Sequence, residues 1–220
     1  TIVQVAAGAT HSLALATDGT IYAWGKNEYG QLGNDSTTNS PVPVAVKTTG
    51  TPMDGKKIIQ IHAGYEHSLA LASDGTVYAW GRNNYGQLGK NDASDAHIPA
   101  AVRTLGTPMA GKIIVQLAAG NSQSIALASD GTVYTWGWNQ YGQLGNNSTI
   151  NSSLPVIVKT TGTPLAGKMI TQITSGGSPN SLVLANDGTM YTWGWNRYGQ
   201  LGNGTTGMDA KTPVAVSTAP

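Results

Sequence analysis

The groups able to do acid–base or metal chemistry in this chain are few. Asp92, Asp95 and His97 stand together in "NDASDAH", which brings two carboxylates and an imidazole within reach of one cation. A calcium loop needs more oxygens at tighter spacing, so we assign no metal there. Asp18, Asp74, Asp130 and Asp187 could act as general acids or bases, but each precedes a glycine between two apolar runs and is explained by a hairpin turn. His11 and His67 occupy one repeat position that holds Gln123 and Asn180 elsewhere. A slot that accepts His, Gln or Asn calls for a hydrogen bond rather than proton transfer. The glycine-rich "GNNSTINSS" and "GNGTTG" lack the lysine and following helix of a phosphate-binding loop. Catalysis needs a nucleophile with its base and orienting group, paired carboxylates, or a metal set. We find none of these, and the expectation is a non-catalytic protein with no cofactor.

Those residues are positioned by a repeat. "SDGTVYAWGRNNYGQLG" begins at Ser73, and close copies begin at Thr17, Ser129 and Asn186. Trp24, Trp80, Trp136 and Trp193 mark a period of 56, 56 and 57 residues, giving repeats at approximately 1–56, 57–112, 113–168 and 169–220. Each copy reads as four short strands. An apolar run such as "KIIQIHAG" is followed by "HSLALA" or its equivalent. Asp-Gly then signals a tight hairpin of the primed type, and "TVYAWG" forms the third strand. The fourth, "PVPVAV" at Pro41–Val46 and its equivalents, carries proline and belongs at a sheet edge. Both faces of these strands are apolar: Leu69 and Leu71 alternate with Ala70 and Ala72, and Tyr78 and Trp80 with Val77 and Ala79. A sheet apolar on both faces must be covered on both, and the next repeat can cover it. That is the logic of an all-β propeller of four-stranded antiparallel blades. The Tyr/Trp pairs therefore read as packing between blades, Leu32, Leu88, Leu144 and Leu201 as loop anchors, and the recurrent Asn and Gln as partners for loop backbone. The linkers "TTGTPMDGKK", "TLGTPMAGKI" and "TTGTPLAGKM" read as β-excursions turning at Gly55, Gly111 and Gly167.

The pattern "AGxxHSLAL…DGTVYAWGxNxxGQLG" resembles the repeat of the regulator of chromosome condensation family, over essentially the whole chain. The resemblance implies a propeller, typically of seven blades in that family, that binds proteins on a face of its ring. The eukaryotic founder is a guanine-nucleotide exchange factor that also binds chromatin, and a bacterial relative inhibits β-lactamases. Exchange or enzyme-inhibitor activity is thus an alternative, although no position here matches exchange-factor contacts. Four repeats leave three architectures: part of a seven-bladed ring, half of a ring shared by two chains, or a small closed ring.

Composition narrows the partners. Twelve Lys and Arg balance eleven Asp and Glu, the net charge is +1, and only 10% of residues are charged. The longest basic run is Lys56-Lys57, so the electrostatic footprint of nucleic-acid binding is missing. No apolar run approaches the ~20 residues of a membrane-spanning helix, and membrane insertion is not expected. Cysteine is absent, so disulfides and thiolate metal sites are excluded. The chain opens on Thr1, which reads as a processed or excised piece. The polar, Asn- and Thr-rich composition points to a bacterial extracellular or cell-surface protein, with the cytoplasm as the alternative.

On a repeat scaffold, function belongs to positions where the copies differ. The residue after "WG" is Lys26, Arg82, Trp138 and Trp195 in turn, a choice that implies partial exposure. The turn after "AG" also varies, with Tyr65 and Glu66 in the second copy. Trp, Tyr and Arg dominate interface hot spots. The expected partner-binding residues are Trp138, Trp195, Arg197, Tyr65, Glu66 and Arg82, on one rim. The expected partner is another protein or a second copy of this chain, as a homodimer or larger assembly. A structural segment of a larger surface array is the competing reading.

Overall fold

The computed structural model describes residues 1–217, which form sixteen strands in four antiparallel four-stranded sheets. The first blade is β1 (Ile2–Ala7), β2 (His11–Ala16), β3 (Ile21–Gly25) and β4 (Ser40–Ala45). The second is β5 (Ile58–Ala63), β6 (His67–Ala72), β7 (Val77–Gly81) and β8 (Ala96–Ala101). The third is β9 (Ile114–Ala119), β10 (Gln123–Ala128), β11 (Val133–Gly137) and β12 (Ser152–Ile157). The fourth is β13 (Ile170–Ser175), β14 (Asn180–Ala185), β15 (Met190–Gly194) and β16 (Ala210–Ala215). Every blade is a simple meander with its strands in chain order. The first strands line a common channel, where Gln4, Ile61, Leu117 and Ile173 converge. The proline-bearing fourth strands pair on one side only, where a missing N–H costs no ladder bond.

The alternation of side chains sends each blade's two apolar faces into different cores. Leu13, Leu15, Ile21, Leu32 and Met53 of blade one meet Ile58, Ile61, Ala70, Tyr78 and Trp80 of blade two. Leu69, Leu71, Val77 and Leu88 of blade two meet Leu117, Ala126, Tyr134 and Trp136 of blade three. Ile125, Leu127, Val133 and Leu165 then meet Ile173, Val183, Tyr191 and Trp193 of blade four. Three apolar clusters serve three interfaces, and among the described residues none joins blade four to blade one. The chain is an open arc of four blades, not a small closed ring.

Each interface carries the same polar pins. The indole Nε1–H of Trp80 donates to the Gln31 carbonyl of the preceding blade at 3.0 Å, and Ser68 Oγ donates to the same carbonyl at 2.8 Å. Trp136 and Ser124 repeat this on Gln87, and Trp193 and Ser181 on Gln143. Along the channel the Gln4 amide brackets Ile61 through both its N–H and its C=O, at 2.9 and 3.0 Å. Gln116 brackets Ile173 in the same way.

Two local readings are corrected. The Asp-Gly hairpins are three-residue loops rather than two-residue primed turns. Gly19 N–H donates to the Ala16 carbonyl, and Gly19 has φ 88°, whereas Asp18 is not in the positive-φ region. The aspartate instead accepts the Thr20 N–H at 2.9 Å. The glycine bulge supplies the twist that a primed turn would have supplied. The linkers between blades contain no strand. Thr51 Oγ1 donates to the Thr48 carbonyl at 2.6 Å, coiling the segment into successive turns that drive Met53 into the interface beneath.

Candidate functional site: a cation–aromatic rim

The loop after each "WG" is held by its asparagine. Asn139 Oδ1 accepts the Leu144 N–H at 2.9 Å, while its Nδ2 donates to the Ser148 and Ile150 carbonyls, both at 3.0 Å. Asn27, Asn83 and Asn196 are hubs of the same kind, all fully buried. With the loop backbone satisfied from within, the residues flanking the hub are free to line the rim. Asp92 and Asp95 are absorbed into this scheme: Asp95 accepts the Asn83 N–H at 2.7 Å, and Asp92 pairs with Lys90 at 2.6 Å. Among the described residues no group of three His, Cys, Asp or Glu gathers as metal ligands.

The residue after "WG" in one blade lies on the tyrosine of "YGQLG" in the blade before it. The Arg82 guanidinium sits 4.6 Å from the Tyr29 ring centre. Trp138 stacks on Tyr85 at 5.5 Å with 25° between planes, and Trp195 tilts against Tyr141 at 6.0 Å. Edge contacts within blades three and four extend the strip, Trp138 to Tyr141 at 5.3 Å and Trp195 to Tyr198 at 5.5 Å. Arg197 closes it, 5.6 Å from the Tyr198 centre. The slot accepts Arg or Trp because a planar cation and an indole can both stack on a phenol.

At the blade-one end a cationic cluster replaces the indoles. Glu66 is only 5% exposed and takes Lys26 at 2.9 Å and Arg82 at 2.6 Å. Burial pushes its carboxyl up, but the two cations outweigh that and hold it below the ordinary value. Glu66 is thus a positioning group under the rim, not an exposed contact. Tyr65 is 44% exposed but lies apart from the strip, at the channel mouth beside Gly64 and Gly120. Trp138, Trp195 and Arg82 are half-buried and Arg197 is exposed. The four strip tyrosines and Lys26 were missed. The available signal was the tyrosine three residues after each variable slot, which reads as scaffold because it never changes.

His11 and His67 take the hydrogen-bonding role expected of their slot. His67 Nε2 lies 3.1 Å from Ser124 Oγ, whose own proton goes to the Gln87 carbonyl. The imidazole must therefore donate from Nε2, which leaves a bare, buried Nδ1. Burial lowers its pKa to about 3, and that of His11, bonded to Ser68 at 2.9 Å, to about 4.

The family model for the RCC1-like domain matches residues 1–220. The chain belongs to the RCC1-like domain family. Its relatives include the ultraviolet-B receptor UVR8 of Arabidopsis thaliana, 36% identical over 98% of this chain and 46% of that protein. The probable E3 ubiquitin-protein ligase HERC4 of Homo sapiens is also 36% identical, over 98% of this chain and 19% of its own. The RCC1-like chain thus spans less than half the length of these curated relatives. Among solved structures, yeast RCC1 (Prp20) bound to Kap60 superposes with a TM-score of 0.82 at 26% identity, over all of this chain and 50% of that one. Human WBSCR16 gives 0.80 at 26% identity, over 98% and 52%. In both, the four RCC1-like blades match about half of a longer chain.

Proposed function

We propose that this RCC1-like arc is a protein-recognition scaffold that binds without catalysis through its cation–aromatic rim. The observation that carries the reading is the continuous aromatic run from Tyr85 and Trp138 through Trp195 to Arg197, with the Lys26 and Arg82 cluster on Tyr29 at the blade-one end. The indoles and guanidinia are half-buried or exposed, outside the three blade cores, and rich in the residue types that anchor interfaces. A solved relative is yeast RCC1 bound to Kap60, which supports protein binding for this fold. The acid–base groups at the rim are engaged, Glu66 by two cations and His67 by burial, which supports a non-catalytic role. The composition favours a place at the cell surface or outside the cell.

A second reading rests on the same strip. Closely spaced indoles and phenols absorb in the near ultraviolet, and one relative is an ultraviolet-B receptor. The variant Trp138→Ser with Trp195→Ser tests both readings. Proteins co-purified with the wild type from its native source should be lost on the double variant and kept by an exposed control, Thr161→Ser. Unchanged binding by a folded double variant refutes the rim. A UV-B-induced change in solution mass that the variant abolishes would favour the second reading, and no change on irradiation would sink it.

A further inference from the structure

The three seams between blades share one polar plan but differ in the residue that crosses them beside the serine. At seam one–two His11 Nε2 lies 2.9 Å from Ser68 Oγ, and at seam two–three His67 Nε2 lies 3.1 Å from Ser124 Oγ. At seam three–four the slot holds Gln123, whose Nε2 donates to Ser175 Oγ at 3.0 Å and to the Asn180 carbonyl. Ser68 and Ser124 spend their protons on the Gln31 and Gln87 carbonyls, so each imidazole donates from Nε2 and keeps a bare Nδ1. Neither Nδ1 has room for a partner. A methyl on Gly64 would stand 2.5 Å from Nδ1 of His67, and one on Gly8 2.9 Å from Nδ1 of His11, so glycine backbone lies directly against each ring. A proton added at Nδ1 is therefore an N–H without an acceptor and a charge without water, on side chains that are fully buried. In a run of repeats each blade touches only its neighbours, so a penalty placed at one seam weakens that seam and not the next.

From this we infer that the arc carries an acid-sensitive switch in its first two seams and not in its third: protonation of His11 frees blade one from blade two, protonation of His67 frees blade two from blade three, and blades three and four stay joined through Gln123. The same openings part Arg82 from Tyr29 and Trp138 from Tyr85, and leave Trp195 on Tyr141. The charged groups facing the two rings do not offset the penalty. Glu66 faces His11 and favours its protonation, but Lys26 and Arg82 already hold that carboxylate. His67 faces His11, whose charge opposes a second proton. His62 is half-buried on the channel wall and is common to every variant below. The Lys56–Asp74, Lys112–Asp130 and Lys168–Asp187 pairs recur at all three seams, so seam three–four serves as the internal reference. Burial holds His11 at about 4 and His67 at about 3, whereas an opened seam returns each to near 6.5, so opening becomes easier as the pH falls between those values.

Each seam has its own reporter, the indole N–H that crosses it: Trp80 to Gln31, Trp136 to Gln87 and Trp193 to Gln143. Indole hydrogen exchange of the whole chain is followed by NMR and corrected for the intrinsic pH dependence of exchange. Trp80 and Trp136 should open roughly 30-fold more readily at about pH 5 than at about pH 7.5, while Trp193 stays level. His11→Gln should abolish the rise at Trp80 alone, and His67→Gln the rise at Trp136 alone. Gln123→His with Ser175→Ala rebuilds the histidine slot over Ser181, which already donates to the Gln143 carbonyl, and should confer the rise on Trp193. Equal rises at all three indoles, or rises that survive the glutamine replacements, would overturn the inference. If the Gln123 variant does not fold, the two glutamine variants decide the matter by themselves.

Discussion

Replacing His67 by Gln separates a packing role from a titration role for the buried imidazole. The third repeat carries glutamine in this slot, where Gln123 Nε2 donates to Ser175 Oγ at 3.0 Å. The residue matching Ser175 beside His67 is Ala119, so the substitution loses the Ser124 bond without that replacement and should cost about 1–2 kcal/mol at neutral pH. The wild type behaves differently as the pH falls. His67 has its pKa lowered to about 3 by burial, with the His11 charge adding to it, while an unfolded histidine titrates near 6.5. Between those values the unfolded chain binds the proton and the folded chain does not, so stability falls as the pH falls. The contribution is complete above about pH 6.5 and is lost progressively toward about pH 3. Moving from about pH 7.5 to about pH 5 should cost roughly 2 kcal/mol for each histidine blocked in this way. His11, lowered to about 4 by burial with Glu66 partly opposing, adds a similar loss. His62, lowered by burial, adds to it in both proteins. The ion-paired carboxylates are the same in both proteins and cancel in the comparison. Urea unfolding at both pH values should show His67→Gln losing roughly 2 kcal/mol less than the wild type across that interval. Equal losses would refute the buried, neutral Nε2–H imidazole. A variant already several kcal/mol weaker at neutral pH would show that shape, not charge, holds the slot.

Asn139→Ala should cost about 2–3 kcal/mol in chemical denaturation, because it strands the Leu144 N–H and the Ser148 and Ile150 carbonyls, whereas exposed Gln140→Ala should stay within about 0.5. Gly145→Ala puts a methyl 2.7 Å from Trp193 Nε1 at φ 66°, and should destabilise by roughly 2 kcal/mol or more. Gly162→Ala has a similar φ of 74° but meets open space, and should cost about 1 kcal/mol from backbone strain alone. Equal thermal shifts for the two alanines would contradict the packing of indole on glycine across the blade interface.

Much of the architecture was legible in the order of residues, because a β-strand declares its two faces by simple alternation. Leu69 against Ala70 and Tyr78 against Val77 already required a neighbour on each side, and four copies supplied three such interfaces. The asparagine hubs were legible as loop partners, since an invariant amide in a polar loop has backbone to satisfy. The hairpin type and the linker path were not, because they depend on which residue takes positive φ and on the core into which Met53 drops. At the rim, the variable positions flanking the repeated asparagine pointed to Arg82, Trp138, Trp195 and Arg197, while comparison among copies could not reveal the constant tyrosines beneath them. Residues that repeat without change look structural, and only the juxtaposition of successive blades turns Tyr85 and Tyr141 into the platform on which Trp138 and Trp195 lie. Glu66 shows the limit from the other side. Its place in the variable turn after "AG" pointed to a rim contact, and the pairing of Lys26 from one blade with Arg82 from the next is what makes its burial tolerable. The sequence alone determined that blades must stack. Tertiary structure decided how each blade seats on the next, because that is a sum of small packing displacements across an interface that no single residue encodes.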